Sequence, residues 1–351
     1  MKHTEQWSIF PEQVDGPVTQ PGEINLDLFQ HRQWPGVFWA EYYYHHLNFP
    51  DGTVITVLVS FSPNDVTVIF VLGKPGANAF REFQFTRYNR VVFDEKGFGF
   101  SIGPSRFRLE GRRYSIDLKL EEVKAKITYD ILGPGYGYGD GMVRYPDGKS
   151  FSCYYLPIPW ARAHVEAVIE GREIRLDGYG TLNHDSQVLN PIHTPLRWRV
   201  FWFFGKDHAL AVTEFTSHKE FGEELIQRLV FTDPEGGLFT STRFPLEWDD
   251  WAYEKTIPFR FRYPQHYQLS AEGGGAQLEV EVRLGEMILK EDLYSNLPTA
   301  FRIIAKRITG NGWVYDWWGD YTIVHNHKGR SQSYQGCGVV RWMALEEKSK
   351  A

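Results

Sequence analysis

Apolar and polar residues alternate through the middle of the chain. From Ala161 to Ile169, Ala161, Ala163, Val165, Ala167 and Ile169 share one side of an extended segment, while Trp160, Arg162, His164 and Glu166 take the other. A period of two predicts a β-strand, because successive side chains point to opposite faces. Leu196–Phe204 (LRWRVFWFF) is a second such run, and between the two lie Tyr179, His184, Asp185 and Gln187. The polar row beginning at Trp160 suits a solvated face or the wall of a ligand cavity.

The same alternation predicts strands over Val37–Leu47 and Thr53–Phe61, joined by the turn Asn48-Phe49-Pro50-Asp51-Gly52. Asp65–Leu72, Phe80–Tyr88, Phe98–Ile102, Phe107–Leu109, Tyr114–Leu120 and Lys124–Ile131 follow at short spacing. Downstream come His208–Thr216, Leu225–Phe231, Gly237–Ser241, Thr256–Arg262, Gln277–Leu284, Ala300–Thr309, Gly312–Trp318, Tyr321–His325 and Cys337–Met343. Ser217–Arg228 leaves room for a short helix. Residues 1–35 read as an extended lead-in, and Leu345–Ala351 as a frayed tail. Many short strands between turns predict an all-β sandwich or barrel rather than a βαβ fold. Two prolines in Asn190–Pro195 mark the best boundary, dividing the chain into 1–190 and 191–351. No exact internal repeat is present. Gly133–Gly141 (GPGYGYGDG) lacks the Lys-Ser/Thr ending of a phosphate cradle, and predicts a bulged connection with Tyr136 and Tyr138 as candidate pocket walls.

Composition sharpens this picture. Aromatics make up 16% of the 351 residues, which favours broad sheet faces and cavities. A net charge of -6 without blocks of like charge argues against a nucleic-acid partner. The two cysteines, Cys153 and Cys337, form neither a disulfide framework nor a metal knuckle, and are expected as buried free thiols. The amino terminus lacks the apolar core of a signal peptide, and no apolar run approaches the roughly 20 residues of a spanning helix. These features predict a soluble cytoplasmic chain, with surface aromatics leaving room for a peripheral membrane contact.

Three stretches in a fixed order carry a family resemblance: IPWARAHVEAVIEG, DGYGTLNHDSQ and LRWRVFWFFGKDHALAVTEFTSHKEFG. Their order resembles the fungal oxidative-stress survival-factor family, relatives of the carotenoid hydratases within a lipocalin-like superfamily. The matching positions are Trp160, Arg162, Val165-Glu166, Gly178, Gly180, His184, Trp198, Glu214-Phe215-Thr216 and Phe221-Gly222, with patches reaching back to residue 37. The resemblance implies two consecutive lipocalin-like antiparallel β-barrels and a bulky lipophilic ligand: an isoprenoid, polyene or lipid. Its wider relatives add an alternative, a hydratase, isomerase or cyclase that moves a proton without a cofactor.

Such an enzyme needs a proton source in a dry pocket and aromatic faces beside a developing carbocation. His184 or Asp185 could be the source, and Trp160, Tyr179, Trp198 and Trp202 could supply the faces. On a strand His184 and Asp185 would diverge; on a turn both could reach one cavity. A plainer reading has Asp185 and Ser186 capping a turn and the aromatics as core. Arg162 and Glu166 read as a surface pair or, with Trp160, His164 and Gln187, as part of a ligand site. His325-Asn326-His327 has ligand spacing but no third donor at short range, and His45-His46 splits across two faces, so no metal is expected. No Gly-x-Ser-x-Gly elbow occurs. Trp248–Trp251 and Trp313–Asp320 combine Trp with acids and raise a carbohydrate reading, although each cluster stays within one short segment.

Overall fold

A computed structural model describes residues 24–34, 38–94, 97–190, 193, 195–254, 261–295, 302–303, 306–307 and 310–345. Its strands fall into two antiparallel sheets. The first opens with a meander of β1 (Trp39–Asn48), β2 (Val54–Phe61), β3 (Asp65–Gly73) and β4 (Phe80–Arg87). It continues through β5 (Val91–Phe93), β6 (Phe98–Ile102), β7 (Ser105–Glu110), β8 (Arg113–Lys119) and β9 (Val123–Ile131). β10 (Tyr136–Arg144), β11 (Phe151–Ile169) and β12 (Arg172–Val188) complete it. β12 pairs back onto β1, from Trp39 opposite Val188 to Asn48 opposite Tyr179, and curls the sheet into a nearly closed barrel with β4 and β5 at its edges.

The second sheet repeats the plan. A meander of β13 (Arg197–Phe204), β14 (Ala209–Thr216), β15 (Leu225–Thr232) and β16 (Leu238–Ser241) comes first. Then β17 (Leu246–Glu254), β18 (Phe261–Gly273), β19 (Ala276–Asp292), β20 (Gly312–His327) and β21 (Arg330–Leu345) return until β21 pairs with β13. Four strands out, then a longer run back to the first, occurs twice without a sequence repeat. The topology asks only for alternation and turns, which many sequences satisfy.

Alternation decides what faces where. Tyr43, Leu47, Val57, Phe61 and Leu182 turn into the first barrel, and Phe201, Phe203, Leu229, Tyr267 and Val340 into the second. The outward residues of β1 and β13 meet back to back: Tyr44 and His46 stack on Trp202, with ring centroids 5.4 and 4.2 Å apart. The Asn48 amide donates to the Trp202 carbonyl (2.9 Å), and Trp160 Nε1 donates to the Gly205 carbonyl (3.1 Å). Trp160, Trp202, Phe204, Ile288 and Val339 pack there as one cluster, so the outer faces of the two sheets form a buried seam.

Several expectations need correcting. Arg302, Ile303, Lys306 and Arg307 are helical rather than extended. Phe301, Ile304, Ala305 and Ile308 recur at three- and four-residue spacing, a helical period that a strand reading overlooks. The stretch Ser217–Arg228 holds only a 3-10 turn, Lys219–Phe221, before β15 begins; Gly222 ends it with φ of 89°. Cys153 is buried, but Cys337 is exposed, its thiol donating to Asp320 (3.0 Å). Residues 24–34 are more than a lead-in: Leu28 and Phe29 plug the first barrel and pack in its core. The expected bulge beside Gly133–Gly141 is present as a register shift between Gly137 and Met142 of β10; Tyr136 is buried, and the Tyr138 side chain lies outside the described residues. Residues 256–260 of the Thr256–Arg262 strand and most of the tail also lie outside them. Among the described residues no helix is long and apolar enough to cross a membrane.

Gly178 and Gly180 let β12 lie close against β1. A Cβ on Gly178 would sit 2.3 Å from the Asn48 carbonyl oxygen, and one on Gly180 would sit 2.6 Å from that of His46. Backbone cannot yield as a flexible side chain can. Gly178→Ala should therefore destabilise the protein by roughly 1–3 kcal/mol, read as a lower denaturant midpoint; an unchanged midpoint would refute the packing argument.

Candidate functional site

β12 delivers its polar cluster as a strand, not a turn. His184 points into the first barrel and Asp185 out of it, toward the seam. The two therefore act in different places.

Inside the barrel His184 meets Glu41 of β1, and both side chains are 0% exposed. His184 Nδ1 lies 2.6 Å from the Leu28 carbonyl oxygen and Nε2 lies 2.8 Å from Glu41 Oε1. A carbonyl can only accept, so Nδ1 carries a proton; Nε2 then needs a second proton between itself and the carboxylate. The Arg32 backbone N–H also donates to Oε1 (2.8 Å), and His31 Nδ1 pairs with Oε2. Burial pushes the Glu41 carboxyl up, but the hydrogen bonds and charges of His184 and His31 outweigh it and hold the group below its ordinary value. Glu41 is thus the anion and His184 the cation of a buried pair. Tyr43 stacks on the His184 ring at 4.3 Å, and His31 Nε2 reaches the Tyr88 hydroxyl (2.6 Å). Every polar atom of the His184 side chain is engaged, so this cluster closes the barrel under Leu28 and Phe29 and leaves the imidazole no free nitrogen.

Asp185 has the opposite character. The residue as a whole is half-buried, but its Oδ1 is shut off from solvent and has no partner among the described residues. Burial raises its carboxyl to about 6, against the lowering charges of Arg228 and His184. Its cross-strand neighbours are Tyr42 on β1 and Tyr154 on β11, and the Arg228 guanidinium of β15 lies over the Tyr154 ring at 3.8 Å. Gln187, two residues on, donates to the Tyr42 hydroxyl (3.4 Å). Trp198 packs against Phe215, in the cluster that also holds Tyr154, with its Nε1 buried and unpartnered among the described residues.

Farther along the seam, Trp160, Tyr179 and Trp202 fall into one cluster. His46 stacks on Trp202; burial, then the Arg341 charge, keeps its imidazole well below the ordinary value and so neutral. His46 Nε2, Asn48 Oδ1 and Trp202 Nε1 are buried without partners among the described residues. Arg341 grips Asp316 through two bonds of 2.7 Å and also donates to the Tyr44 hydroxyl.

Arg162 and His164 do not join these groups. Both are exposed on the outer face of β11, beyond the reach of the second sheet, and His164 pairs with Asp177 (2.8 Å). Two acids of the Trp-rich segments are likewise engaged separately, Asp249 with His266 and Asp316 with Arg341. His325 and His327 stack at 5.9 Å beside a polar cavity of about 380 Å³ at one end of the second barrel. Glu41 went unread in the sequence, although an acid inside the apolar run VFWAEYYYHHL was its signal. Arg228 and Arg341 left none, since each gains its meaning from a strand of the other sheet.

The chain matches the profile of the Svf1 family over residues 73–341. No curated protein matches it in sequence. CghA with Sch210972 superposes with a TM-score of 0.67 at 12% identity, covering 88% of this chain and 89% of that one. A candidate AttH (NE1406) of Nitrosomonas europaea gives 0.61 at 16% identity, covering 93% and 98%. Kievitone hydratase of Nectria haematococca gives 0.53 at 13% identity, covering 87% and 88%. At these identities the likeness is one of fold: an all-β chain of two consecutive lipocalin-like barrels.

Proposed function

The chain belongs to the Svf1 family, and from that membership we propose that it binds a bulky lipophilic small molecule, an isoprenoid, polyene or lipid, along the seam between its two sheets. One observation carries the reading. Aromatic walls, Tyr44, Trp160, Trp198 and Trp202, adjoin buried polar atoms that have no partner among the described residues: His46 Nε2, Asn48 Oδ1, Trp198 Nε1, Trp202 Nε1 and Asp185 Oδ1. Each such atom costs roughly 1–3 kcal/mol if left unmet. Apolar walls with a few buried polar groups at a junction between barrels suit a small-molecule site. A largely apolar ligand bearing a hydroxyl or carbonyl would satisfy both features. That CghA holds Sch210972, and that another structural neighbour is named a kievitone hydratase, accords with a small-molecule role.

Mass spectrometry of a solvent extract of the purified protein tests the reading first, and a stoichiometric lipophilic compound is expected. An extended hydrophobic fluorescent probe tests the location. With Trp198→Ala and Trp202→Ala combined, the loss of two aromatic contacts should weaken probe binding by about tenfold or more. Equal affinity in the folded double variant would take those residues out of the site.

A second reading has its own support: Asp185 as the proton donor or acceptor of a cofactor-independent hydratase, isomerase or cyclase. A carboxyl raised to about 6, beside two tyrosines and with one oxygen unclaimed, suits that task better than His184, whose two nitrogens are already bound.

A further inference from the structure

We propose that His193, His218 and Glu220 bind a zinc-class divalent cation, which staples the segment linking the two sheets to the second barrel. The inference is independent of the lipophilic ligand. His193 lies in the link between β12 and β13, while His218 and Glu220 flank the start of the 3-10 turn between β14 and β15. One ligand atom from each lies within 4.8 Å of the others. A tetrahedral zinc ion with bonds of about 2.0–2.2 Å sets its ligands roughly 3.3–3.5 Å apart, so small side-chain rotations close the trio around an ion.

The side chains are prepared for this. His193 offers a nitrogen on either side: Nε2, 2.8 Å from Glu220 Oε2, and Nδ1, which is buried without a partner among the described residues. His218 accepts only a long hydrogen bond, 3.3 Å, from the Glu220 N–H. The two rings stand 5.4 Å apart, and His193 meets Phe221 edge-on at 4.9 Å. Tyr145, in the turn after β10, stacks on Phe221 at 4.6 Å and backs the site from the other barrel. Asp147 adds negative charge nearby, but its oxygens already accept from Lys149 N–H, Ser150 N–H and the Ser150 hydroxyl.

A simple ion pair of His193 with Glu220 would explain two of the three residues. It would not explain a second imidazole standing 5.4 Å from the first. A borderline metal explains all three, since imidazole nitrogens with one carboxylate suit zinc better than magnesium or calcium. Three protein ligands leave the fourth position to water.

Tag-free, chelator-treated full-length protein titrated with Zn²⁺ by calorimetry tests the proposal. One ion per chain should bind in the micromolar range or tighter, and Mg²⁺ should not compete. His218→Ala and Glu220→Gln should each weaken binding by about tenfold or more, and His193→Ala with His218→Ala should abolish it. Saturating Zn²⁺ should raise the melting temperature of the parent protein and leave that of the double variant unmoved. Glu220 is exposed, so Glu220→Gln, checked by circular dichroism, guards against a folding artefact. Absence of saturable binding overturns the proposal, as does unchanged affinity in the double variant. So does binding that falls instead on removing His325 and His327.

Discussion

Replacing Glu41 by alanine should cost the protein about 3–5 kcal/mol of stability near neutral pH. The loss arises because the substitution leaves the His184 cation buried between the Leu28 carbonyl and an apolar core with no counter-charge. The carboxylate also accepts from Arg32 and His31, so their donors are stranded as well. A double-mutant cycle with His184→Ala should find the two losses far from additive, since removing both partners leaves no unpaired charge. The pH dependence has a fixed sign. Glu41 is lowered in the folded state from an ordinary 4.5, so its stabilisation is complete above that value and disappears as pH falls through the lower folded one. Denaturant unfolding of the parent and Glu41→Ala proteins should therefore differ most near neutral pH and converge in acid. A difference below about 1 kcal/mol near neutral pH would mean that the pair does not hold the barrel.

Asp185→Asn separates a carrier from a catalyst. If the protein moves a proton on its ligand, this variant should lose turnover by roughly 10²–10⁴-fold while probe affinity hardly changes. As the acid, Asp185 would lose its proton as pH rises through about 6, so the parent's activity should fall along that limb and the variant's residual activity should not. Stability moves the other way from the Glu41 case. A carboxyl raised from 3.8 to about 6 favours the folded state in acid and loses that advantage as pH rises through this window. The amide variant should consequently be at least as stable as the parent above it. His184→Gln should lower stability and leave the activity limb in place. Full turnover in a folded Asp185→Asn protein would assign the proton to another group.

What the sequence determined by itself is the local layer. Alternation in ARAHVEAVI and LRWRVFWFF is visible without partners, because a strand's two faces follow from backbone geometry alone. The order of motifs around Trp160, Gly178 and Trp198 carried the family resemblance for the same reason. Ala300–Thr309 misled because a short apolar stretch fits a strand and a helix alike. Tertiary structure decided everything that depends on which faces meet. Trp160 is buried and Arg162, two residues later on the same face, is solvated, because the second sheet covers one and stops short of the other. His184 found Glu41, 143 positions away, only when β12 closed onto β1. Asp185 acquired its raised carboxyl from the seam, not from its neighbours in sequence, and the imidazoles of His193 and His218, 25 positions apart, became neighbours only in the folded chain. A charge's partner and its desolvation are properties of the closed barrels, and no period along the chain encodes them.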